Sequence, residues 1–301
     1  WIIEKRLSLF SSLGNHTVVE CMGLVIAGCI FSNSKEGRRW LKTGICILEK
    51  EVNHQVLDDG GPIEQSFQYH RFVIDLYLCV VSFLEDNNLY DCSGIKKRIK
   101  KGEEFLSAFK GNENESMLFI GDSDDGYAIA PGIYPVRPNF SGGKKEYIRT
   151  FPDSGYTVIR INGGFRLIFD HGPLGMAPLY NHGHADALSI TLYLDDVPFL
   201  VDPGTYRYNG SKEKRAYFKG TRAHNTVNID GKDQARQLTG FIWEDSYNVD
   251  FSKSTSSDCK MTIQATHDGY TKLTPPVLHT RELAFNEEDV FIIKDSFKGN
   301  G

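Results

Sequence analysis

The chain predicts an α+β protein of several domains, with a helical part followed by an antiparallel β part. Apolar residues recur every three or four positions as far as about Lys110, whereas beyond residue 115 they fall in short runs rich in β-branched and aromatic residues. Turn signals at hairpin spacing punctuate those runs. The expected division is a helical domain over 1–115, a linker or loop over 116–143 and an antiparallel β-sandwich over 144–301.

In the first part the pattern predicts helices over 15–31, 35–56, 64–86 and 93–110. They are separated by Ser32-Asn33-Ser34, Asp58-Asp59-Gly60-Gly61-Pro62 and Asp91-Cys92-Ser93-Gly94. Long helices joined by short loops pack as antiparallel pairs. The helix beginning near Glu64 is almost wholly apolar in its second half, which puts it in the interior of a helical assembly. Trp1 to Leu7 reads as the inside of a helix and the chain stops soon after a strand-like run, so a piece of a longer protein is expected.

In the second part, strands are expected at 156–161, 165–169, 188–194 and 290–293. The turns between them fall at Asp153-Ser154-Gly155, Asn162-Gly163-Gly164, Asp195-Asp196, Asp230-Gly231 and Asn286-Glu287-Glu288. Gly121 to Gly126 and the Pro- and Gly-rich stretch 131–143 read as linker and loop.

The 301 residues are 40% hydrophobic and 24% charged, an ordinary globular composition with enough apolar material for a substantial core. A formal charge of -5 supplies no global basic field, so nucleic acid is not an expected partner. Lys96-Lys97-Arg98 with Lys100 and Lys101 reads as the solvated face of a helix. No run approaches the roughly 18 apolar residues of a membrane span, and no signal peptide is visible at the N-terminus. Cys21, Cys29, Cys46 and Cys79 lie in helix-like segments without CxxC spacing and read as buried thiols.

The residues that could carry chemistry cluster in three β-half segments: Tyr180 to Asp186, Val201 to Tyr206, and Arg222 to Val227. On an extended strand His182 and His184 would point to one face, and Asp202 and His224 could complete an N/O ligand set suited to zinc. The spacing is not a standard zinc signature, so hydrogen-bonded histidines without an ion remain the plain alternative. Tyr206, Tyr208, Arg207, Arg215 and Arg222 add phenols and guanidiniums, a mixture that suits an acidic sugar. In the helical half, Asn15 of Gly14-Asn15-His16 stands at a helix start, where an N-cap is an equally good reading. The polar run Gln65 to Arg71 leads into an apolar helix and marks a mouth at a cavity or at solvent. Tyr69 taken alone reads as amphipathic packing.

Together, Asn181 to Leu188, Val201 to Tyr206 and Arg222 to Val227 resemble the heparinase II/III-type polysaccharide lyases, which include alginate and oligoalginate lyases. Gly14-Asn15-His16 and Gln68-Tyr69-His70 resemble the helical-domain motifs of the same family, in the right order. The resemblance implies the last helices of an α/α toroid followed by an antiparallel β-sandwich. It also implies β-elimination at a 4-linked uronic acid in an anionic polysaccharide or oligosaccharide, in the periplasm or outside the cell. Asn15 and His16 match the pair that neutralises the substrate carboxylate, and Tyr69 and His182 match the base and acid, with Tyr206 a further candidate phenol. Which of them is base depends on the C5 configuration. Gln65, Tyr208 and Arg222 are the expected substrate contacts. His184, Asp202 and His224 resemble the metal ligands, with a zinc ion in a structural role.

Two other readings stand beside this one. A carbohydrate-binding scaffold would keep the aromatics but need neither Tyr69 and His182 nor the ligand triad. A metal-dependent hydrolase would need a nearby carboxylate base, for which Asp186 or Glu244 is available. The mild acidity leans toward alginate-like or exopolysaccharide uronates over sulfated heparinoids.

Overall fold

The computed structural model of the protein describes residues 2–10, 12–111, 118–123, 126–136, 147–161, 164–195, 197–255, 261–285 and 291–299. These divide into two compact units, one drawn from Trp1–Leu118 with Ser123–Gly142, the other from Phe119–Asp122 with Gly143–Gly301.

The first unit holds α1 (Ile2–Lys5), α2 (Asn15–Ile30), α3 (Lys35–Gln55), α4 (Phe67–Asp86) and α5 (Ser93–Phe109). Ser34 and Ser66 start α3 and α4 by accepting the N–H groups of Gly37 and Tyr69, which would otherwise lack partners. The helix expected from residue 64 begins only at Phe67 because Gln65 has left-handed backbone, φ 52°. Helix α2 packs on α3 at very short range: a Cβ on Gly28 would lie 2.4 Å from the backbone nitrogen of Leu41. Helix α4 buries Val73, Ile74, Leu76, Tyr77, Val80 and Leu84 and packs against both α2 and α5, as its apolar second half requires. Lys96, Lys97 and Lys100 of α5 are exposed, Lys96 pairing with Glu85, while the largely covered Arg98 pairs with Asp58.

Not every thiol is buried. Cys21 and Cys92 are, but Cys29 and Cys79 are half-buried and Cys46 is exposed, because strongly amphipathic α3 turns that position outward. No helix among the described residues is long and apolar enough to cross a membrane.

The second unit contains two antiparallel sheets, each with its strands in sequence order. One comprises β1 (Tyr147–Phe151), β2 (Tyr156–Ile161), β3 (Phe165–Asp170), β4 (Ile190–Leu194) and β5 (Val197–Leu200). The other comprises β6 (Val249–Thr255), β7 (Met261–His267), β8 (Val277–Phe285) and β9 (Phe291–Gly299). Burial alternates residue by residue along β7, the period-two signature of a strand with one core face. Ile159, Leu167 and Phe169 from the first sheet share one apolar core with Ile263, Ala265 and Leu283 from the second, together with Trp243 and Leu188.

Strand β4 starts at Ile190, two residues later than its apolar run, because Leu188 is left-handed at φ 62° and Ser189 N–H closes a turn onto the Asp186 carbonyl. Val290 and the turns at 162–163 and 286–288 lie outside the described residues. Between β5 and β6 the chain leaves the sheets and forms α6 (Lys212–Lys219) and a 3-10 turn (Thr221–Ala223). Helix α6 is too polar to show an apolar period, but Ser211 caps it and Glu213 sits in its first turn.

Candidate functional site

The sequence-predicted residues divide between the units. Asn15, His16, Gln65 and Tyr69 belong to the helical unit, and His182, His184, Asp202, Tyr206, Tyr208, Arg222 and His224 to the β unit.

In the helical unit Gly14, not Asn15, occupies the N-cap of α2. The buried Asn15 amide donates to both carboxylate oxygens of Glu64, at 3.1 and 3.3 Å, and its backbone N–H points to the same group. A buried anion at a helix N-terminus is favoured by the helix dipole, which accounts for Glu64 here. His16, next along α2, is exposed, and Tyr69 is half-buried on the first turn of α4. The Gln65 amide nitrogen donates to the Pro62 carbonyl, while its buried Oε1 has no hydrogen-bond partner among the described residues.

In the β unit the His182-Gly183-His184 segment is a loop, not the extended strand expected, since His182 is left-handed at φ 72°. Both imidazoles nonetheless reach one group, the fully buried carboxylate of Asp122. Asp122 Oδ2 accepts from His182 Nδ1 at 3.2 Å and Oδ1 from His184 Nε2 at 3.0 Å. Arg215 of α6 grips the same carboxylate with both terminal nitrogens, at 2.6 and 2.7 Å, and Thr205 adds a hydroxyl at 3.4 Å. Burial alone would raise this acid, but the histidine hydrogen bonds and the Arg215 charge hold it well below the usual carboxylate range.

Beyond His184 lie Asp186, Asp202 and His224, and one donor atom from each of the four falls within 4.8 Å of the others. Whether this group fits a cation can be tested on its protons. His224 Nδ1 donates to the Gly220 carbonyl at 2.9 Å and His184 Nε2 to Asp122, so in neutral rings the other two nitrogens are bare. Those bare nitrogens face each other at 3.1 Å. Burial, joined by the neighbouring acids, pushes Asp202 up to about 6 and Asp186 far above the carboxylate range, and burial presses His224 down to about 4. Two opposed lone pairs and two crowded carboxylates form a donor set that a divalent cation would satisfy. His182 stands outside this group.

Several contacts hold the loops that carry these donors. The Asn225 amide donates to the Ile190 and Val201 carbonyls, both at 2.9 Å, tying the loop of His224 to the segments flanking Asp186 and Asp202. Ala185 N–H donates to the Lys219 carbonyl at the end of α6. A Cβ on Gly183 would lie 1.5 Å from the Leu174 carbonyl oxygen, so only glycine fits between the two histidines. Tyr206, itself left-handed at φ 65°, is partly exposed, stacks on Phe218 and accepts from Lys214 Nζ at 3.3 Å. Tyr208 lies over the Arg215 guanidinium, and Arg222 is exposed. Glu244 is exposed and paired with Arg236, away from the cation group.

Residues 143–301 match the family profile described as heparinase II/III-like, C-terminal, and residues 5–109 match that of the heparinase II/III N-terminus. The chain belongs to the heparinase II/III family. Heparin-sulfate lyases of Bacteroides stercoris and Pedobacter heparinus are each 24% identical to it, over 98% and 95% of this chain. The chain spans 45% and 44% of those relatives' own lengths. A crystal structure of heparinase III shares its fold, with a TM-score of 0.76 at 19% identity over 97% of this chain and 48% of that one. So does a heparan sulfate lyase from Pedobacter heparinus, with a TM-score of 0.68 at 20% identity over 99% of this chain and 47% of that one.

Sequence reasoning missed Glu64 in the helical unit and Asp122 and Asn225 in the β unit, and it assigned Asp186 only to a hydrolase reading. Asp122 sits in a Gly-, Ser- and Asp-rich stretch that reads as linker, and only its partners 60 and 62 residues away reveal it. Asn225 was visible as part of Arg-Ala-His-Asn-Thr-Val, without a signal of what it holds.

Proposed function

We propose that this chain is part of a polysaccharide lyase that cleaves a 4-linked uronate glycan by β-elimination. The helices would then be the last part of an α/α toroid and the two sheets a β-sandwich. The observation that carries the reading is His182, left-handed and anchored through Nδ1 on buried Asp122, in a chain whose residues 5–109, Asn15, His16 and Tyr69 among them, match the heparinase II/III N-terminus.

In this reading the Asn15 amide and the His16 imidazole donate to the uronate carboxylate. The C5 proton is too weakly acidic until the charge developing on that carboxylate is stabilised. Glu64 holds one edge of the Asn15 amide in place. A base then takes the C5 proton, the C5–H electron pair forms the C4–C5 double bond, and the C4–O4 bond breaks with O4 taking a proton from an acid. Tyr69 and His182 fill those two roles, with Tyr206 a further phenol. Gln65, Tyr208 and Arg222 contact the sugar, with the unpaired Gln65 oxygen available to a hydroxyl.

His184, Asp202 and His224, joined by Asp186, would hold a zinc ion, whose charge when bound pins their loops together and keeps His182 in register. The names of the curated relatives favour a heparan-type glycosaminoglycan over the alginate-like substrate suggested by the mild acidity. A hydrolase reading loses support because Glu244 is paired away from the ion group and Asp186 lies inside it.

The test is a screen of the purified protein on heparan sulfate, alginate and other uronate polymers, read as new ultraviolet absorbance from an unsaturated uronate. Absorbance that grows with the wild type and is lost in Tyr69→Phe and His182→Ala is expected. Full activity in either variant would overturn the assignment.

A further inference from the structure

One carboxylate serves two imidazoles from opposite ring positions. Asp122 is wholly buried and gripped at both oxygens by Arg215, so it meets both histidines as an acceptor only. Each histidine must therefore present a protonated nitrogen to it, and the nitrogens differ: Nδ1 in His182 at 3.2 Å, Nε2 in His184 at 3.0 Å. The backbone N–H of Asp122 also donates to the His182 carbonyl at 2.8 Å, so the same residue holds His182 by ring and by main chain.

We propose that Asp122 is the positioning residue that imposes opposite tautomers on His182 and His184, with the proton on Nδ1 in the first and on Nε2 in the second. With its proton on Nδ1, the neutral His182 ring has Nε2 as its proton-accepting nitrogen. A bare Nδ1 makes His184 a ligand on the side where His224 faces it. One buried anion thus prepares the base and the ion group together. The lyase reading supplies the reaction in which the His182 base would act; the tautomers themselves do not depend on it.

The experiment is histidine-selective nitrogen-15 labelling of the zinc-loaded protein, with long-range proton–nitrogen correlation at neutral to mildly alkaline pH. The expected spectrum has His182 protonated at Nδ1 and His184 at Nε2. His182 protonated at Nε2 would overturn the proposal.

Asp122→Asn keeps the shape but offers one acceptor oxygen and an amide donor, so one of the two imidazoles meets a donor in place of an acceptor. The expected result is a tautomer change at that ring, with kcat down by about 100-fold or more and KM within about three-fold. Zinc affinity should fall by roughly 10- to 100-fold. Unchanged tautomers with unchanged kcat would contradict the proposal. If the variant does not fold, the wild-type spectrum still decides. A wild type that eliminates no uronate yet shows both tautomers would end the lyase reading and leave this inference standing.

Discussion

His184 Nδ1 and His224 Nε2 point at each other across 3.1 Å, with the other nitrogen of each ring already donating, to Asp122 and to the Gly220 carbonyl. Without a cation between them the two lone pairs repel, and Asp186 and Asp202 add two crowded carboxylates. Removing the ion with a chelator should therefore lower the unfolding midpoint. An ion present at 100 times its dissociation constant contributes about 2.7 kcal/mol. His184→Ala should lose the bound ion, measured by elemental mass spectrometry. Zinc content equal to that of the wild type would contradict the assignment.

Gly183 separates the catalytic candidate from the ligand candidate and passes so close to the Leu174 carbonyl that a methyl group cannot fit. Trp243 also donates to the Gly183 carbonyl at 3.0 Å, which limits how far the loop can retreat. Gly183→Ala should cost about 2 kcal/mol or more by urea unfolding, in the range of overpacked interiors. A cost below about 0.5 kcal/mol, as at an ordinary surface site, would mean that the loop moves freely.

Arg281 of β8 clamps the loops of the ion group from behind. Its Nη1 donates to the Leu188 and Asn225 carbonyls at 2.8 and 2.6 Å, and its other nitrogens pair with Asp295. Arg281→Met keeps much of the volume but strips two carbonyls of their donor and leaves Asp295 without its guanidinium, though still hydrogen-bonded to His279 Nε2. The expected loss is about 2–3 kcal/mol, below the value for a fully buried pair because Asp295 retains some solvent contact. Weaker zinc retention should accompany it, and unfolding equal to wild type would show that Arg281 does not hold these loops.

Much of this was legible in the sequence, and the parts that were not have physical reasons. The helices and the strands near 156–170 follow from local periodicity, which depends only on neighbouring residues. His184, Asp202 and His224 were legible because imidazoles and a carboxylate stand in motif-like segments. Asp122 was not, since a lone Asp among Gly and Ser looks like a turn until folding brings His182 and His184 to it. The extended reading of His182-Gly183-His184 failed for a related reason: left-handed backbone at a histidine is imposed by tertiary contacts and leaves no trace in residue spacing. Helix α6 was missed because it buries little besides Arg215 and Lys219, both charged.

Acid stability should report His171, which is buried, stacked on Phe251 and hydrogen-bonded to the Thr157 hydroxyl. Burial presses its pKa from the ordinary 6.5 down to about 3. Between those values the unfolded chain binds a proton that the folded chain does not. The contribution of the neutral ring is thus complete above the unfolded pKa and is lost as pH falls toward 3. The slope from one such group approaches 1.4 kcal/mol per pH unit, roughly. His171→Gln, which cannot titrate, should show a shallower loss of stability over that window in urea melts at stepped pH. An unchanged slope would show that His171 is not the group responsible.

Elimination and hydrolysis of the same glycosidic bond differ in the oxygen balance of their products. The purified protein is incubated with heparan sulfate in water labelled with heavy oxygen, and the oligosaccharides are weighed by mass spectrometry. Elimination breaks C4–O4 without consuming water, so the expected products have masses that, apart from slow exchange at the reducing-end hydroxyl, sum to that of the substrate, with one double bond per cut. One heavy oxygen gained per cut, with no unsaturated product, would contradict it.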